Sequence, residues 1–99
     1  GLMFALEIVR RLERPDLTRG YVVAGTGTIA RDGTVGAIGG VGHKVVAAHR
    51  SGADIFLCPA ANAQEAEAKA QAIGTSMRIV PVDDLQAAVE ALAALPVKG

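Results

Sequence analysis

Apolar residues recur at helical spacing near both ends of the chain. Residues 2–12 predict a first helix that ends near Arg14-Pro15 and packs on the core by one face. That face is expected to carry Leu2, Leu6, Val9 and Leu12. A last helix is expected to begin after a capping Asp83. Its apolar stripe comprises Leu85, Ala88, Val89, Leu92 and Leu95.

The segment between Gly20 and Gly42 has a different pattern. It holds eight of the twelve glycines, and short β-branched runs lie between them. Asp32-Gly33 is the strongest turn signal, because glycine tolerates the positive φ that a tight hairpin requires. This segment therefore predicts short strands joined by a hairpin.

Helices and strands alternate beyond residue 40. The pattern predicts a helix over 41–50, a buried strand over 54–58, a helix up to Gly74, and a strand over 78–82 with Pro81 at a sheet edge or strand end. Asn62 with Glu65 resembles a capping box at the start of the second of these helices.

The order helix, strand, helix, strand, helix favours parallel pairing covered by helices. The predicted fold is therefore α+β with α/β character: an N-terminal helix, a hairpin region, and a partly parallel sheet. We expect one domain over residues 1–95 and a loose tail over 96–99. The helical pattern is already periodic at Leu2, with no capping residue before it. This indicates either a start inside a larger domain or a trimmed end with nothing important lost.

Composition excludes several function classes. Ten basic and ten acidic residues give a formal net charge of zero, and the chain has one Tyr, two Phe and no Trp. Nucleic-acid binding is not expected, because both the positive field and the stacking surface are missing. No apolar run is long enough to span a membrane. The single cysteine cannot form an internal disulfide.

Most candidate motifs fail on their context. Gly25-Thr26-Gly27 follows a strand, but a second turn comes where a dinucleotide-binding turn would open a helix. The glycines before Lys44 lack the Gly-Lys-Ser/Thr order of a phosphate-binding loop. His43 and His49 are six residues apart, so they do not share a helix face and no metal is expected. No cofactor is expected either.

Isolated nucleophiles also carry little weight. Cys58 ends an apolar strand, where a thiol is usually a small buried hydrophobe. Ser51 and Ser76 lie in turns, where hydroxyl groups usually bond to local backbone.

Lys44 is the best candidate for chemistry. It lies in the first turn of a predicted helix, between a glycine-rich loop and an apolar run. The positive end of the helix dipole and nearby apolar side chains both favour the neutral amine, which can act as a general base. The alternative is an ordinary solvated lysine at a helix start.

An ordered set of motifs resembles the proteolytic domain of Lon-type (S16 family) serine proteases, strongly from Gly1 to about Pro59 and more loosely to the last helix. The matching segments are Gly25-Thr26-Gly27-Thr28-Ile29, Asp32-Gly33-Thr34-Val35-Gly36, Ile38-Gly39-Gly40, Lys44 and Ala47-Ala48-His49-Arg50. The chain departs from the ATP-dependent members at Thr28, where they usually have Glu, and at Gly42-His43. These departures favour the Lon-like branch that carries a PDZ domain and lacks an ATPase.

The resemblance implies a serine endopeptidase that uses a Ser-Lys dyad. Lys44 matches the family's catalytic lysine, and Thr26 matches a threonine that orients the dyad. Gly1 matches the glycine of a Pro-Ser-Ala-Gly stretch, which places the nucleophile two residues upstream and makes this chain inactive alone. The resemblance also implies protein or peptide substrates, a hexameric homo-oligomer, an upstream PDZ domain, and a membrane anchor outside the cytoplasm.

Three alternatives stay open. The chain could be a non-enzymatic α/β interaction module in which the glycines only turn the backbone. It could also be a family member that has lost its serine and serves as a scaffold. A cytoplasmic location remains the alternative to an extracytoplasmic one.

Overall fold

A computed structural model describes residues 1–98 of the chain, and Gly99 lies outside the described residues. In chain order the elements are α1 (Leu2–Leu12), β1 (Val23–Gly25), β2 (Thr28–Ile29), β3 (Val35–Gly36), α2 (Val41–Arg50), β4 (Ile55–Pro59), a 3₁₀ turn (Ala60–Asn62), α3 (Ala63–Ile73), β5 (Arg78–Val82) and α4 (Leu85–Ala93). The order confirms the predicted succession of elements. The α+β class is confirmed as well.

The main sheet has three parallel strands in the order β1-β4-β5. Ile55 of β4 pairs with Val23 on one side and with Arg78 on the other. Pro81 lies in the edge strand β5, as predicted, since proline has no N–H for a second neighbour. The place of β1 in this parallel sheet is a finding that the local pattern did not predict.

The predicted turn at Asp32-Gly33 forms the hairpin of β2 and β3. Gly33 has φ +92°, and the carboxylate of Asp32 accepts the backbone N–H of Thr34 at 2.9 Å. The backbone N–H of Leu85 donates to the carbonyl of Gly33 at 2.8 Å, so the hairpin is attached to the start of α4.

Strand β4 is buried along its whole length and divides the core in two. Ile55 and Leu57 contact the apolar side chains of α1 and α4, whereas Phe56 and Cys58 contact those of α2 and α3. Successive side chains of a strand point to opposite faces, so each face of the sheet is covered by one pair of helices. This double burial explains the continuous apolar run that predicts the strand.

The exposed side of α1 is more apolar than expected. Leu2 and Leu6 are buried, but Leu12 is 78% exposed, which corrects its predicted place on the core face. At 100° per residue, Leu12 lies about 80° from Leu2 and closer to Ile8. Leu12 therefore belongs to a second stripe, with Phe4 and Ile8, that faces outwards.

The structure corrects both predicted helix caps. Asn62 stands at the predicted N-cap position of α3, but its side chain forms no capping bond, because its backbone (φ −99°, ψ 0°) is not extended and its amide bonds to Ile38 instead. At α4 the cap is Asp84 rather than Asp83: its backbone is extended, and its carboxylate accepts the N–H of Ala87 at 2.7 Å.

The tail after α4 packs against the domain. The carbonyl of Pro96 accepts the hydroxyl of Tyr21 at 2.9 Å. The backbone N–H of Lys98 donates to the carbonyl of Arg19, and its amine is 2.9 Å from the carboxylate of Asp54. Residues 96–98 are nevertheless exposed and belong to no helix or strand, and Gly99 lies outside the described residues, so the loose tail stays a prediction.

Candidate active site

The carboxyl end of β1 is the point where the candidate residues meet. The backbone N–H of Thr26 donates to the carbonyl of Leu57 at 3.0 Å, so the backbone stays bound to β4 beyond the last residue of the strand. The carbonyl of the next residue, Gly27, accepts the N–H of Leu2 at 3.0 Å. The first turn of α1 therefore begins beside Thr26.

Lys44 approaches the same segment from the other side. It lies in the first turn of α2, where its backbone N–H is 3.4 Å from the carbonyl of Gly40. It lines a shallow, open depression against the end of β1. The other residues of this depression are Ala24, Gly25, Ala47, Ala48, Ser51 and Phe56.

The surroundings of Lys44 differ from the expectation. The sequence predicts an amine stripped of water, whereas Lys44 is exposed in the structure. The reason is the helix geometry: Val41 and Val45 point into the core, and Lys44 lies at the margin of that buried stripe. The prediction that apolar side chains of this chain shield the amine of Lys44 from water is therefore wrong.

Thr26 lies between the residue beside Lys44 and the residue that binds the start of α1. It is half-buried, immediately after Gly25, which lines the depression with Lys44, and immediately before Gly27, which holds the start of α1. Its side chain is therefore carried by a backbone that is fixed on both sides. The assignments of Lys44 and Thr26 stay predictions.

The serine in the depression is unsuited as a partner for Lys44. Ser51 follows Lys44 by seven residues, which is about 10.5 Å along a helix axis. Its hydroxyl donates to the carbonyl of Ala48 at 2.9 Å, as expected for a serine at a helix end. The hydroxyl of Ser51 is therefore bonded to the end of α2, and no hydrogen bond joins it to Lys44 among the described residues.

Cys58 and His49 do not line this depression. Cys58 is fully buried, and burial together with the nearby charge of Glu67 raises the pKa of its thiol to about 11. It is the predicted buried hydrophobe. His49 bonds to the hydroxyl of Thr75, with 2.7 Å between Nδ1 and Oγ1.

No three side chains of His, Cys, Asp or Glu within residues 1–98 are close enough to hold a metal ion. No helix among these residues is both long and apolar enough to cross a bilayer.

Sequence reasoning missed one residue near this site. Asn62 was interpreted as a helix cap, yet its side chain bonds to the loop before α2. No local signal distinguishes this role from a helix cap, because the partner, Ile38, lies 24 residues earlier in the chain. Only the folded structure identifies its partner.

Comparison with known proteins gives one consistent family. Residues 8–95 match the family model of the Lon protease (S16) C-terminal proteolytic domain. The chain is 29% identical over 85 residues to the Lon protease of Aster yellows witches'-broom phytoplasma (strain AYWB), covering 86% of this chain and 10% of that protein. It is 37% identical over 67 residues to the Lon protease of Neorickettsia sennetsu (strain ATCC VR-367 / Miyayama), covering 68% of this chain and 8% of that protein.

The chain spans about a tenth or less of the length of these curated relatives. The family match, in contrast, covers most of the chain, from the middle of α1 to the end of α4. The chain therefore belongs to the Lon protease (S16) C-terminal proteolytic domain family.

Proposed function

We propose that this chain is the C-terminal part of the proteolytic domain of a serine endopeptidase that cleaves peptide bonds with a Ser-Lys dyad. The observation that carries the proposal is the convergence at the carboxyl end of β1. Lys44 lines the depression beside Gly25, Thr26 follows, and Gly27 binds the first amide of α1. In parallel sheets, this end of the strands is where ligands usually bind.

In this proposal the nucleophilic serine lies two residues before Gly1, and Lys44 is its general base. The amine of Lys44 takes the hydroxyl proton as the serine oxygen attacks the substrate carbonyl carbon. The lysine then returns the proton to the leaving amine. In a second step water attacks the acyl-enzyme, and Lys44 takes a proton from the water and passes it to the departing serine oxygen, which regenerates the hydroxyl and the neutral amine. The chain by itself carries the base without the nucleophile and is expected to be inactive.

The start of α1 supplies the electrostatic part of the mechanism. Amide groups in the first turn of a helix have no acceptor within the helix, and the dipole makes this end positive. The bond from Leu2 to the carbonyl of Gly27 fixes the helix end beside Thr26. An oxyanion formed at a serine just upstream would therefore develop next to fixed N–H donors.

Because Lys44 is exposed, its amine must be shielded from water by something outside these residues. A neutral amine at neutral pH needs shielding from water, and this chain does not provide it. In the proposal the shielding comes from protein outside these residues and from bound substrate. The share of the relatives that lies outside the match leaves room for such protein.

The finer features follow the family resemblance. We propose ATP-independent hydrolysis of protein or peptide substrates, an upstream PDZ domain, a hexameric assembly, and a membrane-anchored, extracytoplasmic location. Thr28 and Gly42-His43, which depart from the ATP-dependent pattern, support this branch.

A non-enzymatic interaction module is the second candidate, and one observation favours it. Lys44 is exposed, as an ordinary solvated lysine would be. Titration of Lys44 by NMR in a longer chain distinguishes the two candidates, because a lysine that titrates like a free one would contradict the dyad. Reading the encoded residues before Gly1 tests the third candidate, a family member without its serine.

The direct test is Lys44→Ala in the complete protein, with Lys69→Ala as the matched control. Lys69 is exposed on α3; its side chain lies against Gly42 of α2 but does not line the depression of Lys44. We expect Lys44→Ala to abolish hydrolysis of a casein-like substrate without changing the thermal unfolding temperature, whereas Lys69→Ala retains the parent rate. Cleavage by Lys44→Ala at the parent rate would show that the assignment of the base is wrong.

A further inference from the structure

Asn62 makes an unusual pair of hydrogen bonds across the fold. It is the buried polar residue of the described chain, 8% exposed, at the junction between β4 and α3. Its Oδ1 accepts the backbone N–H of Ile38, and its Nδ2 donates to the carbonyl oxygen of the same residue, both at 2.9 Å. One side chain thereby satisfies both backbone polar groups of Ile38.

The segment that Asn62 holds leads directly to Lys44. Residues 37–40 connect β3 to α2 and belong to no strand. The side chain of Ile38 packs against the core cluster between the sheet and α2 and α3. Because residues 37–40 form no β-sheet hydrogen bonds, the position of this loop is fixed by the amide of Asn62 and the packing of Ile38.

Gly40 links this loop to the first turn of α2. It precedes the helix in a left-handed conformation (φ 69°). Its carbonyl oxygen accepts the backbone N–H of His43 at 3.1 Å and lies 3.4 Å from the backbone nitrogen of Lys44. A shift of residues 37–40 therefore moves the first turn of α2. Lys44, which lies in that turn, would move relative to Gly25 and Thr26.

We propose that Asn62 is a positioning residue for peptide hydrolysis, acting on Lys44 through Ile38 and Gly40. This inference rests on the proposed function, because it needs Lys44 to be the general base. The side chain of Asn62 touches neither substrate nor the reacting atoms in this proposal. Its effect is expected on the rate of the chemical step rather than on substrate binding.

The primary test replaces Asn62 by Leu in the complete protein, which removes both hydrogen bonds and keeps the number and branching of the side-chain heavy atoms. Misplacement of a catalytic group by about 1 Å can reduce a rate about 100-fold. We therefore expect kcat to fall about 10- to 100-fold while KM stays within about twofold. Gln64→Leu, the same type of change at an exposed position of α3, should retain both constants.

A second variant gives a readout that general destabilisation would not produce. Asn62→Asp keeps the acceptor for the N–H of Ile38 but places a carboxylate oxygen opposite its carbonyl. Protonation of that carboxyl group restores a donor of the same shape. The kcat of Asn62→Asp relative to the parent should therefore rise as the pH is lowered, whereas the relative kcat of Ala88→Gly, which loosens α4 on the other face of the sheet, should stay constant.

The outcomes separate this inference from the function on which it rests. If Lys44→Ala retains activity, both the dyad and the role of Asn62 are wrong. If Lys44→Ala is inactive while Asn62→Leu and Asn62→Asp keep the parent kcat, only the role of Asn62 is wrong. A loss that Ala88→Gly shares at an equal decrease in Tm would also overturn it.

Discussion

A β-carbon at Gly25 would lie 2.7 Å from the carbonyl oxygen of Leu57 and 2.9 Å from the sulfur of Met3. The first atom belongs to the neighbouring strand β4 and the second to α1. The absence of a side chain at Gly25 therefore lets three elements meet at the carboxyl end of β1. This close approach holds the start of α1 and the depression of Lys44 within one small region.

The first prediction concerns this close approach. Gly25→Ala should lower the free energy of unfolding by about 1 to 3 kcal/mol, because the added carbon would crowd the backbone oxygen of Leu57, which the N–H of Thr26 holds in place. Gly39→Ala is the control, since a β-carbon there meets no atom within 4 Å. Urea unfolding of both variants measures the difference. Equal stability of the two would contradict the packing described here.

The second prediction concerns Thr26 in the complete protein. Thr26→Val keeps the shape of the side chain and the backbone bond to Leu57 but removes the hydroxyl group. We expect turnover to decrease more than stability does, because the hydroxyl is proposed to orient the amine of Lys44. Peptidase assays and thermal unfolding of the same preparation test this. The reverse pattern would leave Thr26 with a structural role only.

The third prediction separates two adjacent aspartates. Asp84→Ala removes the acceptor of the Ala87 N–H and should lower the free energy of unfolding by about 1 kcal/mol. Asp83→Ala should change it by less than about 0.5 kcal/mol, because Asp83 contributes its backbone carbonyl, which accepts from Val35 and is retained in the variant. Chemical denaturation ranks the two. A larger loss for Asp83→Ala would restore the cap predicted from the sequence.

The fourth prediction concerns the pH dependence of stability. Burial raises the pKa of the Cys58 thiol to about 11 from an ordinary value of 9.0. Between these values the unfolded chain releases the proton and the folded chain keeps it, so this contribution to stability is complete below about pH 9 and decreases as the pH rises towards 11. The parent should lose more stability over this range than Cys58→Ala does.

Reactivity of the same thiol provides an independent check. At pH 8, iodoacetamide should modify Cys58 only when denaturant unfolds the chain, because the folded protein holds it as a buried thiol. Mass spectrometry with and without denaturant measures the modification. Rapid labelling of the folded chain would show that β4 is more open than described.

Local sequence patterns were sufficient for most elements. The helix over 41–50 was predicted with its observed bounds, and Gly33 forms the predicted turn. The strand after Asp54 was predicted within one residue at each end. In each case the determining residues are neighbours along the chain, and short-range sterics and periodicity specify the conformation.

The candidate site needed more than local patterns. Lys44 was selected from its place at a helix start beside the glycine-rich loop, and Thr26 through a family resemblance; in the structure both lie beside the end of β1. The surroundings of Lys44 were mispredicted, because its exposure depends on which side of α2 faces the sheet. Leu12 was mispredicted for the same type of reason on α1.

The sequence by itself determined the succession of helices and strands, the hairpin turn, and the apolar core of β4. The tertiary structure decided that β1 joins the parallel sheet, that Asp84 caps α4, and that Asn62 holds Ile38, 24 residues away. Periodicity reports how a residue relates to its neighbours in the chain. Pairings between distant residues are decided instead by which surfaces fit and which buried polar groups find partners, and these are properties of the assembled fold.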